Sequence, residues 1–352
     1  MQELPSELPR QALSPKWTLA RMSLKPFECR QEKRPRRRLI DLCRTEVHTA
    51  WILVDPSISA RTMAFSRDGN WVAYTSLTDN NLWRCTADGN ECLQLTQGMQ
   101  QTVSPRWSPD GRVITFMGRH LGGNWGVFTV AAKGENLQAL SPSGHSDADP
   151  DWSPDGQSLV FGNVLEPPEA LAIYTLNLRT HGLSALPESK GYFSPRWSPD
   201  GRFIVAIYSH DQRLDLFDCV SRKWERLIQI SGAYPSWSRD GKYVYFLSIA
   251  TGRRTVFRIG IREQKLEAVV DVGKIERLPS MMGDWMGLAP DDAPIVVRNV
   301  TTRTFTRGSL IFGKVFVAPF PDLSKRSSFQ RFQITRSGPL RRSQSIRTWD
   351  RP

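Results

Sequence analysis

The chain has 352 residues, 39% hydrophobic and 10% aromatic, enough to bury a sizeable core and exclude wholesale disorder. Its formal net charge of +12 suggests at first a basic binding protein. No run approaches the roughly 18 apolar residues that a membrane-crossing helix needs.

In chain order the charge separates. Residues 1–60 hold 11 Lys/Arg against 7 Asp/Glu, and 302–352 hold 11 against 2. The middle, 61–301, holds 25 against 26 and is neutral. Residues 1–38 are broken by Pro5, Pro9, Pro15 and Pro26 and contain no apolar core of a signal peptide. The expected location is therefore cytoplasmic as written, or periplasmic if a true N-terminus is missing. Lys33-Arg34-Pro35-Arg36-Arg37-Arg38 follows, and Arg34, Arg36, Arg37 and Arg38 are candidate phosphate contacts. The plain alternative is a solvated tail.

From residue 65 an internal repeat takes over. Trp107-Ser108-Pro109-Asp110-Gly111 recurs at Trp152 to Gly156, with Asp155, and at Trp197 to Gly201, with Asp200. Looser copies run from Phe65 through Asp68 to Gly69 and from Trp237 through Asp240 to Gly241. A degraded sixth copy is Leu288-Ala289-Pro290-Asp291-Asp292. The spacings are 42, 45, 45, 40 and 51 residues. Ser-Pro-Asp-Gly suits a tight turn, with Pro fixing φ and Gly taking positive φ. Three short apolar runs after each turn complete four antiparallel strands per unit, the blade of a β-propeller. The Trp is expected to pack between blades, and the repeated aspartates to bond their own turn backbone.

Six signatures predict six blades over about 46–301. The last blade would be completed by a strand from 302–318 and one from the apolar run Val47–Val54, leaving 1–45 and 319–352 as disordered basic ends. The loss of the repeat after Thr301 is also what a shifted reading frame or misplaced start would leave.

The Trp-Ser-Pro-Asp-Gly repeat, with its Gln94-Leu95-Thr96 strand ending, resembles the TolB-like six-bladed propellers over about 57–300. Such modules occur in bacterial regulatory and signalling proteins, often after a winged-helix or kinase domain. No such domain is recognisable in 1–45. The resemblance implies an all-β, non-catalytic binding or scaffold module, engaging a protein or small ligand through its loops or central channel, and a monomer. The alternative is the sensor part of a DNA-binding or signalling regulator whose basic ends alone touch nucleic acid.

Catalytic readings find little support. A propeller-gated hydrolase needs a Gly-x-Ser-x-Gly elbow and about 250 further residues, whereas 51 follow Thr301. Sialidase-type boxes would separate the Asp from the Gly, and here they are adjacent. His48, His120, His145, His181 and His210 are scattered and read as loop histidines. Asp147, Asp149 and Asp151 are weak metal candidates, since strand alternation would put all three carboxylates on one side. No cofactor is expected. Cys85 and Cys92 could face each other across a hairpin, bridged only if the chain is exported.

Overall fold

The structure is a computed structural model. It describes residues 18–22, 50–54, 60–298 and 314–317, leaving aside 88, 90, 142–145, 165, 249–253 and 274–284. The chain divides into two compact units, Met1–Phe320 and Pro321–Pro352, and every described residue belongs to the first. The basic cluster from Lys33 to Arg38, His48, His145 and the 319–352 tail lie outside the described residues.

Two strands precede the repeats, β1 (Thr18–Met22) and β2 (Ala50–Val54). The first blade follows as β3 (Ala60–Phe65), β4 (Trp71–Ser76), β5 (Leu82–Thr86) and β6 (Cys92–Gln94). The second has β7 (Gln101–Trp107), β8 (Val113–Arg119), β9 (Gly126–Ala131) and β10 (Gln138–Ala139). The third has β11 (Asp147–Trp152), β12 (Ser158–Asn163), β13 (Ile173–Asn177) and β14 (Leu183–Ala185). The fourth has β15 (Tyr192–Trp197), β16 (Phe203–Tyr208), β17 (Leu214–Asp218) and β18 (Lys223–Ile228). The fifth has β19 (Ala233–Trp237), β20 (Tyr243–Ser248), β21 (Thr255–Gly260) and β22 (Leu266–Asp271). Then come β23 (Met286–Leu288), β24 (Pro294–Arg298) and β25 (Lys314–Val317).

Five sheets have the expected four antiparallel strands, where six were expected. The remaining sheet is five-stranded, in the order β1-β2-β25-β24-β23. Two features set it apart. Its signature has lost the Ser and the Gly, and its outer strands are recruited from both sides of the repeat: β25 pairs β24, β2 pairs β25, and β1 pairs β2. β1 also falls inside the 1–45 stretch expected to be disordered. The five residues of β1 lie between Pro15 and Pro26, where the density of prolines argues against a strand.

Each blade's apolar faces are covered by its neighbours. Val205 and Leu216 of the fourth blade share one buried cluster with Val244, Phe246 and Phe257 of the fifth. Trp285 and Ile295 pack against Ala60, Met63 and Val72, so the five-stranded sheet lies against the first blade. Met286 and Val296 pack against Tyr245 and Val256 of the fifth.

The signature turns are closed from within. In all five, the Ser hydroxyl donates to the Asp carboxylate at 2.5–2.7 Å. That carboxylate accepts the N–H of the residue after Gly, and the Ser oxygen accepts the N–H that opens the next strand. Hydrogen bonding holds the Asp68, Asp110 and Asp155 carboxyls below the usual range. Burial pushes those of Asp200 and Asp240 up, but their hydrogen bonds outweigh it, leaving Asp200 lowered and Asp240 at about 2.

The turns also touch one another. A Cβ on Gly156 would lie 3.7 Å from Pro109, on Gly201 3.1 Å from Pro154, and on Gly241 3.6 Å from Pro199. On Gly69 it would lie 3.1 Å from Pro290 of the degraded signature. Where that signature lacks its Gly, Asp292 takes positive φ (64°) and its carboxylate accepts the Arg239 N–H at 2.8 Å. Gly111 is the exception: its preceding signature carries Arg67 instead of Pro, and nothing lies within 4 Å.

The Cys85 and Cys92 positions pair across β5 and β6 and are joined by a disulfide, seven residues apart in sequence. Closing so short a loop stabilises by about 2.5 kcal/mol in the chain-entropy picture.

These contacts make the glycines unequal. Both Gly111→Ala and Gly201→Ala force a side chain onto positive φ, costing about 1 kcal/mol. Gly201→Ala must also displace Pro154 and is expected to lose about 1 kcal/mol more. Urea unfolding of the two variants measures the difference; equal losses would refute the turn-to-turn contact.

Candidate functional site

Successive strands alternate in direction, so the signature turns emerge on one face of the disc. The loops between second and third strands emerge on the other, beside the starts of the inner strands. Between the two faces lies a wall built by the inner strands, and a repeated irregularity shapes it. Each of β7, β11, β15 and β19 carries a bulge against its neighbour, between Val103 and Arg106, Ala148 and Asp151, Phe193 and Arg196, and Ala233 and Ser236. Within these bulges Ser104, Asp149, Ser194 and Tyr234, each followed by Pro, sit at φ of 52–55°. A bulge re-aims the side chain it carries.

The consequence is a polar belt across four blades. The Ser104 N–H donates to Thr62 Oγ1 at 2.9 Å, and Thr62 Oγ1 bonds Thr75 Oγ1 at 2.9 Å. Ser104 Oγ donates to Asp149 Oδ1 at 3.0 Å, and Ser194 Oγ to Asp149 Oδ2 at 2.9 Å. Arg196 faces the same carboxylate at 3.5 Å and donates through Nη1 to the Asp149 carbonyl at 3.1 Å. Its side chain is only 3% exposed. Asp151 lies one step nearer the signature turn. Its Oδ2 accepts the Trp197 N–H at 2.9 Å, and its Oδ1 is 3.9 Å from Arg106.

Burial pushes the Asp149 carboxyl up, but Arg196, the two serines and Arg106 outweigh it and leave it below the usual range. At Asp151 burial wins over both arginines, and its carboxyl is raised. Burial, with repulsion from Arg196, lowers the Arg106 guanidinium to about 10.

The expected gathering of Asp147, Asp149 and Asp151 on one side does not occur. The bulge breaks the alternation, sending Asp149 to Ser104 and Ser194 and Asp151 to Trp197 and Arg106. Among the described residues, no three His, Cys, Asp or Glu side chains cluster as metal ligands would. His120, His181 and His210 are exposed and apart from the belt. What the sequence reading missed were the two arginines. The residue before the signature Trp is Arg106, Asp151 and Arg196 in three successive repeats, and this alternation of sign was visible once the repeats were aligned.

The signature tryptophans tie blades together. Trp107 Nε1 donates to the Ala64 carbonyl, Trp152 Nε1 to that of Arg106, and Trp237 Nε1 to that of Arg196, at 3.0–3.2 Å. Trp197 differs: its ring donates to Gly201 in its own turn, and Asp151 reaches its backbone instead.

On the loop face, the fourth blade presents a second charged group. Arg213 bonds Asp215 at 2.9 Å and Asp211 at 3.2 Å, and lies 4.1 Å from the Tyr208 ring centroid. Tyr192 donates to Asp215 Oδ2 at 2.6 Å and stacks on Trp224 with centroids 4.0 Å apart. Burial and Asp215 raise the Tyr192 hydroxyl, which stays protonated as a donor.

A family model, the TolB beta propeller domain, matches residues 12–212, more than half of the chain. The chain belongs to this family. This TolB-type chain is 31% identical over 93 residues to an uncharacterized protein of Agrobacterium fabrum, a stretch covering 25% of the chain and 29% of that relative. Among solved structures it is similar to a putative TolB from Agrobacterium tumefaciens, with 18% identity, TM-score 0.55, and coverage of 74% of this chain and 90% of that one. TolB from Acinetobacter baumannii aligns with 18% identity and TM-score 0.52, over 76% and 65% of the two chains. An oligogalacturonate lyase in complex with manganese aligns with TM-score 0.56 and 13% identity, over 88% and 98%. At these identities the likeness is one of fold alone.

The belt yields a pH prediction. The stability supplied by Asp149 is complete above about pH 4 and lost as pH falls through its lowered folded value. Asp151, with a raised value, works oppositely, contributing below about pH 4 and losing that contribution as pH rises through its folded value. Asp149→Ala is expected to cost about 3–5 kcal/mol by stranding Arg196. Asp149→Asn should flatten the acid limb of stability against pH. Denaturation across about pH 2–6 checks both; an unchanged acid limb would show that Asp149 does not titrate as described.

Proposed function

We propose that the chain is a non-catalytic binding propeller that engages a protein or small ligand through its loop face and the adjoining channel mouth. The observation that carries this reading is the internal satisfaction of the inner wall. Ser104, Ser194 and Arg196 are committed to Asp149, Asp151 is committed to Trp197 and Arg106, and the histidines stand outside the belt. A general acid or nucleophile needs a free partner position toward substrate. This belt spends its carboxylates and hydroxyls on joining blades, and the one donor of Arg196 left without an acceptor, Nε, is itself buried. The loops between second and third strands, such as 120–125 and 164–172, vary in length and sequence between blades and belong to the face where specificity is read.

The same reading takes the five-stranded sheet as the sixth blade. Its support is the Pro290–Gly69 approach, which repeats the turn contact seen between regular blades, and the order of neighbouring inner strands, β19 to β23 to β3.

The test is to immobilise the full chain and measure partner capture with loops 120–124 or 164–170 replaced by Gly-Ser. A saturable partner lost with either replacement, but retained when the exposed turn around Val220 is replaced, is expected. Equal capture by all variants would overturn the face assignment, and hydrolytic or lyase turnover by the intact chain would overturn the non-catalytic reading.

A further inference from the structure

Most of the buried or half-buried arginines face an acid. Arg106 has Asp151, Arg196 has Asp149, Arg213 has Asp211 and Asp215, and Arg258 has Glu267. Two arginines at the loop face do not. Arg61, near the start of β3, donates to Asn80 Oδ1 at 3.3 Å, and Arg119, at the end of β8, donates to Gln101 Oε1 at 3.4 Å. Both partners are neutral amides. The Nε of each guanidinium is buried with no acceptor. Arg84 and Arg196 share that feature, but Glu91 attracts the first and the Asp149 carboxylate lies 3.5 Å from the second.

The two groups belong to one surface. Asn80, held at φ 60° in the loop between β4 and β5, takes Arg61 on its side chain, and its carbonyl accepts Thr102 Oγ1 at 2.9 Å. Thr102 adjoins Gln101, which holds Arg119. The line from Arg61 through Asn80, Thr102 and Gln101 to Arg119 therefore crosses from the first blade to the second. Arg119 is further fixed over the buried Trp125 ring, 4.7 Å from its centroid. Burial lowers the Arg61 guanidinium from its usual value, as expected of a desolvated cation lacking a counter-charge. Two planar forks, positioned by neutral side chains and left without carboxylates, are suited to oxyanions.

We propose that Arg61 and Arg119, positioned by Asn80 and Gln101, form an anion site for a small dicarboxylate, one carboxylate on each guanidinium. The inference rests on the binding-module reading and names a ligand class for its loop face. Calorimetric titration of the full chain with malonate, succinate, glutarate and adipate, against acetate and inorganic phosphate, tests it. One diacid length is expected to bind saturably and at least tenfold more tightly than acetate. Arg61→Gln and Arg119→Gln should each weaken it at least tenfold, whereas Arg112→Gln, an exposed change on the opposite face, should leave it unchanged.

Arg61→Lys and Arg119→Lys keep the charge, lose the fork, and serve if a Gln variant fails to fold. They should also weaken binding, with an unchanged melting temperature. No saturable diacid binding, or wild-type affinity in the folded Arg61 and Arg119 variants, would overturn the proposal. Tighter binding of phosphate than of every diacid would overturn the ligand class. A captured partner retained by the Arg61→Gln/Arg119→Gln double variant would remove the anion site while leaving the binding module standing.

Discussion

The contact on which the structure depends is the one between neighbouring blades. A four-stranded blade cannot cover both of its faces alone. Here the covering is directional. Three signature tryptophans reach back to the preceding inner strand, and signature prolines lie against the glycine of the following turn. Apolar burial supplies the driving force, while the ring N–H bonds and turn contacts fix how far each blade rotates about its neighbour.

Charge is the second fastening, and it is concentrated where three inner strands meet. Asp149 is bonded from the blade before it and from the blade after it. The same bulge that costs a strained backbone at Asp149 delivers this geometry. Placing two aspartates and two arginines in a desolvated wall favours one arrangement of blades over alternatives. At Trp197 the link to the preceding blade is made by the backbone N–H to Asp151 instead of by the ring.

The propeller class and four-strand blades were legible because Ser-Pro-Asp-Gly turns and their following strands encode local geometry, and local geometry repeats. The role of Asp149 was not legible. Its residue type suggested a cation, and only the bulge, which displaces the strand period by one, shows that it faces serines and a guanidinium. Arg61 and Arg119 were invisible for another reason: nothing local distinguishes a solvated arginine from one left without an acid by its neighbours. The Cys85–Cys92 pairing was legible as a hairpin, but the bond itself depends on register, which the sequence fixes only through the turn. The closing sheet escaped a regular description because its signature is eroded and its outer strands are distant in sequence.

The signature prolines are replaced at two places, by Arg67 and Arg239, and this divides the run of turn contacts in two. From the second blade to the fifth, each turn leans on the next through Pro and Gly, forming one continuous arc. The closing sheet and the first blade form a shorter arc through Pro290 and Gly69. Between the arcs, one seam is bridged on the turn face by Arg239 and Asp292, and the other leaves Gly111 untouched. At that second seam Trp107 and Ser104 still bond the first blade, so only its turn face lacks a bridge, and a ligand held by Arg61 and Arg119 would add a fastening on the opposite, loop face.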